Sequence, residues 1–214
     1  MLTVINFIQR AVLQGTPLLY GATGEILTEK SGNLNLGIPG IMYIGAISGV
    51  VGGFMYQTST DDSAYNSGFN SVFVLPFGSL LVSLLCCFLT VTLRANQMLR
   101  VLITTSAWAA VISSAARLLR SLSDVPYLAL VDIARAFKTT LPFAESMGDI
   151  GKLFFSYGFM VYLAIIIAII SAVFLKRTKH GLNLRAVGEN PATADAAGIN
   201  VTRYKYFATC IGGM

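Results

Sequence analysis

Two amide side chains near the start of the chain could bind a polar solute. The stretch SGNLNLGIPG, at positions 31–40, places Asn33 and Asn35 among three glycines and a proline. Irregular backbone within a membrane persists only where protein buries it or where it lines a cavity. The two amides would then offer hydrogen bonds to a solute in such a cavity. An ordinary turn between two helices is the alternative.

Glu25 and Tyr43 flank this stretch and complete the candidate substrate path. A carboxylate within a membrane helix is a functional candidate by default, whereas pairing of Glu25 with Lys30 or Arg94 would make it an interfacial residue. The ring of Tyr43 could stack on a base, as aromatic rings do in nucleic-acid-binding proteins. Alternatively, it could anchor its helix at the membrane surface.

Groups for enzymatic or metal chemistry are sparse along the chain. There is one histidine, His180, the three cysteines lie in apolar runs, and no His or Cys stands at metal-ligand spacing. The segment GDIGKL at 148–153 lacks both the earlier glycine and the Ser or Thr after Lys152 that a P-loop requires. The sequence therefore predicts no catalytic site, no metal site and no ATP bound by this chain. A membrane-embedded enzyme and a proton-coupled transporter are weaker alternatives.

The composition is that of a chain embedded in a lipid bilayer. Of 214 residues, 55% are hydrophobic and 12% are charged, whereas about a quarter are charged in a soluble domain. The formal charge of +5 is concentrated in loops, where lysine and arginine mark the cytoplasmic side of a membrane. We therefore predict no nucleic-acid partner.

Apolar stretches along the chain predict the spanning helices. A span needs about 20 mostly apolar residues, and five stretches reach or approach that length. They cover 5–27, 37–56, 72–93, 99–119 and 153–175. A sixth begins near Tyr204 and stops at Met214. We predict an all-α polytopic membrane protein with about five complete spans and a sixth that is C-terminally truncated, so that this chain alone would not transport.

Glycines within the second predicted span indicate helix packing. Gly45, Gly49 and Gly53 recur every fourth residue, a spacing that allows two helices to approach closely. The loop at 176–205 sets the orientation, because its six Lys and Arg residues outnumber Glu189 and Asp195. This excess places the loop in the cytoplasm.

The sequence ENPATADAAG within this loop is typical of a short helix with both ends specified. Asn190 can cap the first turn, Pro191 suits the first helical position, and Gly198 suits the left-handed residue that closes a helix. A helix of about two turns is marginal alone in water, and this one lacks the bulky apolar stripe of a membrane-surface helix. We predict that it docks into a cleft of another protein; a connector lying on the membrane is the alternative.

The loop sequence GLNLRAVGENPATADAAGINVTRYKY closely resembles the coupling loop of ABC-transporter permeases of the branched-chain amino acid, ribose and nucleoside class. The stretches GEILTEKSGNLNLGIPGIMYIGA and FLTVTLRANQ resemble two further blocks of these permeases. The resemblance covers 10–97 and 140–214. It is greatest to nucleoside-uptake permeases that work with a basic-membrane-protein type lipoprotein.

The resemblance implies a subunit of an ATP-driven importer for nucleosides or simple sugars in the cell membrane of a bacterium. ATP would be used by a separate ATPase subunit, and the other partners would be a second permease subunit and a substrate-binding lipoprotein. The loop helix would seat in a groove of the ATPase. The residues in this predicted contact are Glu189, Asn190, Pro191, Ala192, Thr193, Ala194, Asp195, Ala196, Ala197 and Gly198.

The resemblance lapses between about 98 and 135. Permeases of this class have a glycine-rich helix there, whereas no glycine occurs here between Gly78 and Gly148. A local shift of reading frame would explain the lapse, and a divergent alanine-rich helix is the alternative.

Overall fold

The structure is a computed structural model, and it describes residues 2–33, 37–60, 64–93, 117 and 153–214. These ranges are almost entirely helical, and no strand occurs within them. The predicted all-α class is therefore confirmed, while the number of membrane spans stays a prediction. Asn35, Arg94, the GDIGK part of the rejected P-loop segment and all but one residue of the predicted fourth span lie outside the described residues.

Seven α-helices are described, and their bounds match most of the apolar stretches. The helices are α1 (Leu2–Glu29), α2 (Ile38–Thr60), α3 (Ala64–Cys87), α4 (Phe159–Arg177), α5 (Lys179–Glu189), α6 (Pro191–Ala196) and α7 (Val201–Gly213). A π-helical segment, Phe88–Thr92, continues α3. The predicted span at 153–175 starts later than expected, because Gly158 has extended backbone and caps α4.

Two helical segments are long and apolar enough to cross a bilayer, Val74–Thr92 and Phe159–Arg177. The rest of the described chain buries only 28% of the residues in the first segment and 17% of those in the second. Side chains such as Leu81, Ile166 and Ile170 are therefore more than half exposed. Continuous apolar surface of this kind is suited to lipid or to another membrane helix rather than to water.

Small residues bring α2 and α3 into close contact. A Cβ atom added to Gly45 would lie 3.4 Å from the Cβ atom of Ser79, and one added to Gly52 would lie 2.7 Å from the side chain of Val74. Positions seven apart return to the same helix face because seven residues complete nearly two turns. Gly49 and Gly53 are also buried. The predicted packing role of these glycines is supported at Gly45, and Gly52 belongs to the same interface.

Gly52→Ala is expected to lower the thermal unfolding temperature of the detergent-solubilised protein. The new methyl group would overlap the stiff, β-branched side chain of Val74, and overpacking costs about 1–3 kcal/mol. Gly15→Ala is the matched control, since nothing lies within 4 Å of a Cβ atom at Gly15. Equal unfolding temperatures for the two variants would contradict the close packing.

A second core joins the membrane-length helix α4 to the helices that follow it. Leu27 of α1, Leu175 of α4, Leu184 of α5 and Ala208 of α7 are buried together, with Phe174 and Tyr204 packed against them. This cluster fixes the loop at 176–205 against the ends of α1 and α4. The short helix α6 is thereby held between two anchored helices.

Candidate functional site

The start of α6 has the predicted cap. The side-chain oxygen of Asn190 accepts a hydrogen bond from the backbone N–H of Thr193 at 3.1 Å, and Pro191 occupies the first helical position. This arrangement satisfies one of the free N–H groups of the first turn. The predicted helix start is therefore confirmed.

The end of α6 is closed by Gly198 in the left-handed conformation, with φ of 80°. The N–H of Gly198 donates to the carbonyl of Asp195 at 2.9 Å, and the N–H of Ile199 donates to the carbonyl of Ala194 at 3.0 Å. These two bonds form a Schellman motif, which satisfies the last carbonyls of a helix. The predicted closing role of Gly198 is confirmed.

One face of α6 packs on its own chain and the other faces outward. Ala194 is 4% exposed, and α6 contacts both α5 and α7. All the other residues of the predicted docking set are exposed. They are Glu189, Asn190, Pro191, Ala192, Thr193, Asp195, Ala196, Ala197 and Gly198. Ala194 therefore holds the helix in place, and the exposed alanines are available to a partner.

A surface cleft runs along the exposed side of α6. Its volume is about 600 Å³. The residues that line it are Pro191, Ala192, Asp195, Gly198, Ile199, Asn200, Val201 and Thr202. The cleft thus lies between α6 and the start of α7. Four of its lining residues belong to the segment predicted to dock, and the other four follow that segment.

Hydrogen bonds also fix α5, the helix that connects α4 to α6. The hydroxyl of Thr178 accepts a hydrogen bond from the N–H of Gly181 at 3.0 Å and caps the helix. The hydroxyl of Tyr204 accepts from the side-chain amide of Asn183 at 3.0 Å and lies 3.1 Å from Nδ1 of His180. Tyr204 thus ties α5 to α7, a contact that nothing in the local sequence indicates.

Asn33 lies in a buried turn rather than in open contact with a cavity. Its side chain is 3% exposed, and its Nδ2 atom donates to the hydroxyl of Thr209 on α7 at 3.3 Å. The preceding residue, Gly32, has φ of 77°. This geometry favours the turn between two helices that the sequence offered as the alternative. A role for Asn33 in the substrate path stays a prediction.

The other two described residues of the candidate substrate path differ in exposure. Glu25 is half-buried in α1. Tyr43 is 63% exposed on α2, which suits either contact with lipid or contact with another subunit. Within the described part of the chain, no group of three or more His, Cys, Asp or Glu residues could hold a metal ion.

Comparison with known proteins matches residues 7–214 to the family described as the branched-chain amino acid transport system permease component. The chain is 31% identical over 219 residues to the nucleoside ABC transporter permease protein NupC of Lactococcus lactis, covering all of this chain and 66% of that protein. It is 28% identical over 222 residues to the guanosine ABC transporter permease protein NupQ of Bacillus subtilis, covering 99% and 65%.

A third similar protein is the putative glucose ABC transporter permease protein TsgC13 of Haloferax volcanii. It is 28% identical over 210 residues, covering 97% of this chain and 59% of that protein. The chain thus spans slightly less than two thirds of the length of these curated relatives. No solved structure matches it.

Proposed function

Since this chain belongs to the family of branched-chain amino acid transport system permease components, we propose that it is the membrane-spanning subunit of an ATP-driven importer. The family match confirms the resemblance carried by the coupling-loop sequence. It also agrees with a transport subunit rather than an enzyme, because the similar proteins are permeases. The protein lies in the cell membrane of a bacterium, with several spans and with the loop at 176–205 in the cytoplasm.

The observation that carries this proposal is the build of α6. It is a short helix, capped at both ends, with its small side chains exposed and with Ala194 fixing it to its own chain. A helix this short gains its stability from its neighbours, so α5 and α7 hold it in a defined position. A partner can therefore bind the exposed face without first ordering it, which reduces the entropic cost of binding.

The partner that this surface serves is an ATPase subunit, which binds and hydrolyses the ATP. The exposed residues from Glu189 to Gly198 form the contact, and the cleft beside α6 receives side chains of the partner. A second permease subunit covers part of the exposed apolar surface of the spanning helices. A substrate-binding lipoprotein delivers the solute on the opposite side of the membrane.

The solute is a nucleoside or a simple sugar. NupC and NupQ are named for nucleoside and guanosine transport, and TsgC13 is named for glucose. These solutes share a ring with several hydroxyl groups, which amide and carboxylate side chains bind by hydrogen bonds. Glu25, Asn35 and Tyr43 are the proposed contacts along the path, whereas the amide of Asn33 already donates to Thr209.

Reconstitution tests this function directly. The protein is placed in proteoliposomes with its ATPase and lipoprotein, and uptake of radiolabelled guanosine and glucose is measured. We expect uptake of at least one solute that requires ATP and is lost when the ATPase is omitted. Uptake driven by a proton gradient without the ATPase would instead identify a secondary transporter. Failure of the ATPase to co-purify with the chain would contradict the proposed docking.

A further inference from the structure

The turn that follows α1, Lys30–Asn33, is held on two sides by the helices that flank α6. We propose that this turn is the element through which a displacement of α6 reaches α2. The inference rests on the proposed docking of α6 to an ATPase. It assigns positioning roles to Gly188 and Thr209, which the sequence did not single out, and gives Asn33 a role distinct from solute binding.

The first contact joins α5 to the turn through two glycines. A Cβ atom added to Gly188 would lie 3.0 Å from the backbone nitrogen of Gly32, and nearer still to the carbonyl oxygen of Lys30. A Cβ atom added to Gly32 would lie 3.1 Å from the Cα atom of Gly188. Backbone thus packs directly on backbone, with no flexible side chain between the two segments.

The second contact joins the turn to α7 through a buried hydrogen bond. Asn33 donates to the hydroxyl of Thr209 at 3.3 Å, and that hydroxyl in turn donates to the carbonyl of Lys205 at 2.9 Å. Thr209 is fully buried and Asn33 is 3% exposed. A buried hydrogen bond is costly to break because its groups cannot turn to water instead, so the two segments are held together.

The turn between these contacts is rigid. The hydroxyls of Thr28 and Ser31, both fully buried, donate to backbone carbonyls within α1 at 3.0 Å and 2.6 Å. The N–H of Gly32 donates to the carbonyl of Glu29 at 2.8 Å. Close-packed, hydrogen-bonded segments shift as units rather than deform.

The order of these residues along the chain makes them a route for movement. Gly188 lies two residues before Asn190, the cap of α6, and α7 starts three residues after Gly198. A movement of α6 therefore pulls on both contacts at once. On the far side, four residues separate the turn from Ile38, the first residue of α2. Near its other end, α7 packs closely on α1, with Gly212 against Gly24.

Hydrogen–deuterium exchange can follow this route without knowledge of the solute. The assembled transporter is compared before and after trapping with ATP and vanadate, and exchange is read in peptides covering 190–200 and 30–41. In the unmodified protein we expect both peptides to change exchange several-fold. In Gly188→Val we expect the 190–200 peptide to respond as before and the response of the 30–41 peptide to be lost.

Thr209→Val provides a second variant that adds no bulk at the glycine contact. It removes the hydroxyl and is expected to reduce the response of the 30–41 peptide, whereas Thr209→Ser, which keeps a hydroxyl, retains it. Gly15→Ala is the control, because its added methyl group meets nothing within 4 Å. A purely structural role would alter exchange equally with and without ATP and vanadate.

Two results would separate this inference from the function on which it rests. If the 190–200 peptide of the unmodified protein exchanges equally in the permease alone and in the assembled transporter, the proposed docking is wrong. If that peptide responds and the 30–41 peptide still responds in both Gly188→Val and Thr209→Val, docking stands and the proposed route through the turn is overturned.

Discussion

Ala197→Trp is expected to weaken binding of the ATPase subunit about 5- to 150-fold while leaving the membrane helices folded. Ala197 follows α6 directly and is exposed, so an indole there enters only the space that a partner would occupy. Forcing extra bulk into a packed contact costs about 1–3 kcal/mol, which corresponds to this change in affinity. The measurement is co-purification of the ATPase at graded concentrations.

Ala194→Trp is expected to act differently, although it lies on the same short helix. Ala194 is 4% exposed and packs on its own chain, so the indole would separate α6 from its neighbours. This variant should lower the thermal unfolding temperature as well as binding, whereas Ala197→Trp should lower binding alone. Leu182→Trp is the control, since Leu182 is 58% exposed on α5, outside the predicted contact. Unchanged ATPase binding by Ala197→Trp would show that α6 is not part of the interface with the ATPase.

The two alanines show which features of α6 the sequence alone can predict and which it cannot. The caps of α6 involve residues three to five positions apart, and the chemistry of Asn, Pro and Gly at such spacing is local. Its start and end were therefore predictable. Which alanine faces inward depends on how α5 and α7 pack, and the uniform stretch ATADAA carries no apolar pattern that would distinguish the two sides.

Contacts distant in sequence were the part that could not be predicted. Asn33 and Thr209 are 176 positions apart, and each looks like an ordinary polar residue in its own segment. The amide of Asn33 therefore suggested a solute contact, because the sequence does not reveal its hydrogen-bond partner Thr209 on α7. The packing role of Gly188 and Gly32 likewise becomes evident only in the structure, where their two backbones are in contact. The length of the apolar stretches predicted the long helices of the described residues, because length and composition are local properties.

Asn33→Leu is expected to destabilise the protein by about 1–3 kcal/mol, because it leaves the buried hydroxyl of Thr209 without its donor. Thr209→Val should cost a similar amount, since it leaves the amide of Asn33 buried without an acceptor. The double variant should lose less stability than the two single variants lose together. Replacing both partners by apolar groups leaves neither polar group of this pair unpaired. Thermal unfolding of the four proteins in detergent measures this coupling.

The same four proteins distinguish a structural amide from a solute-binding amide. If Asn33 only ties the turn to α7, both single variants should lower uptake together, and the concentration of guanosine or glucose that gives half-maximal uptake should stay the same. If Asn33 binds the solute, Asn33→Leu should raise that concentration about 5- to 150-fold, since an unpaired polar group of the solute costs about 1–3 kcal/mol. Thr209→Val should then leave that concentration near normal. Because Asn33 is 3% exposed and already donates to Thr209, we expect the first pattern. If Asn33→Leu alone raised the half-saturating concentration, that result would contradict this expectation and support solute binding by Asn33.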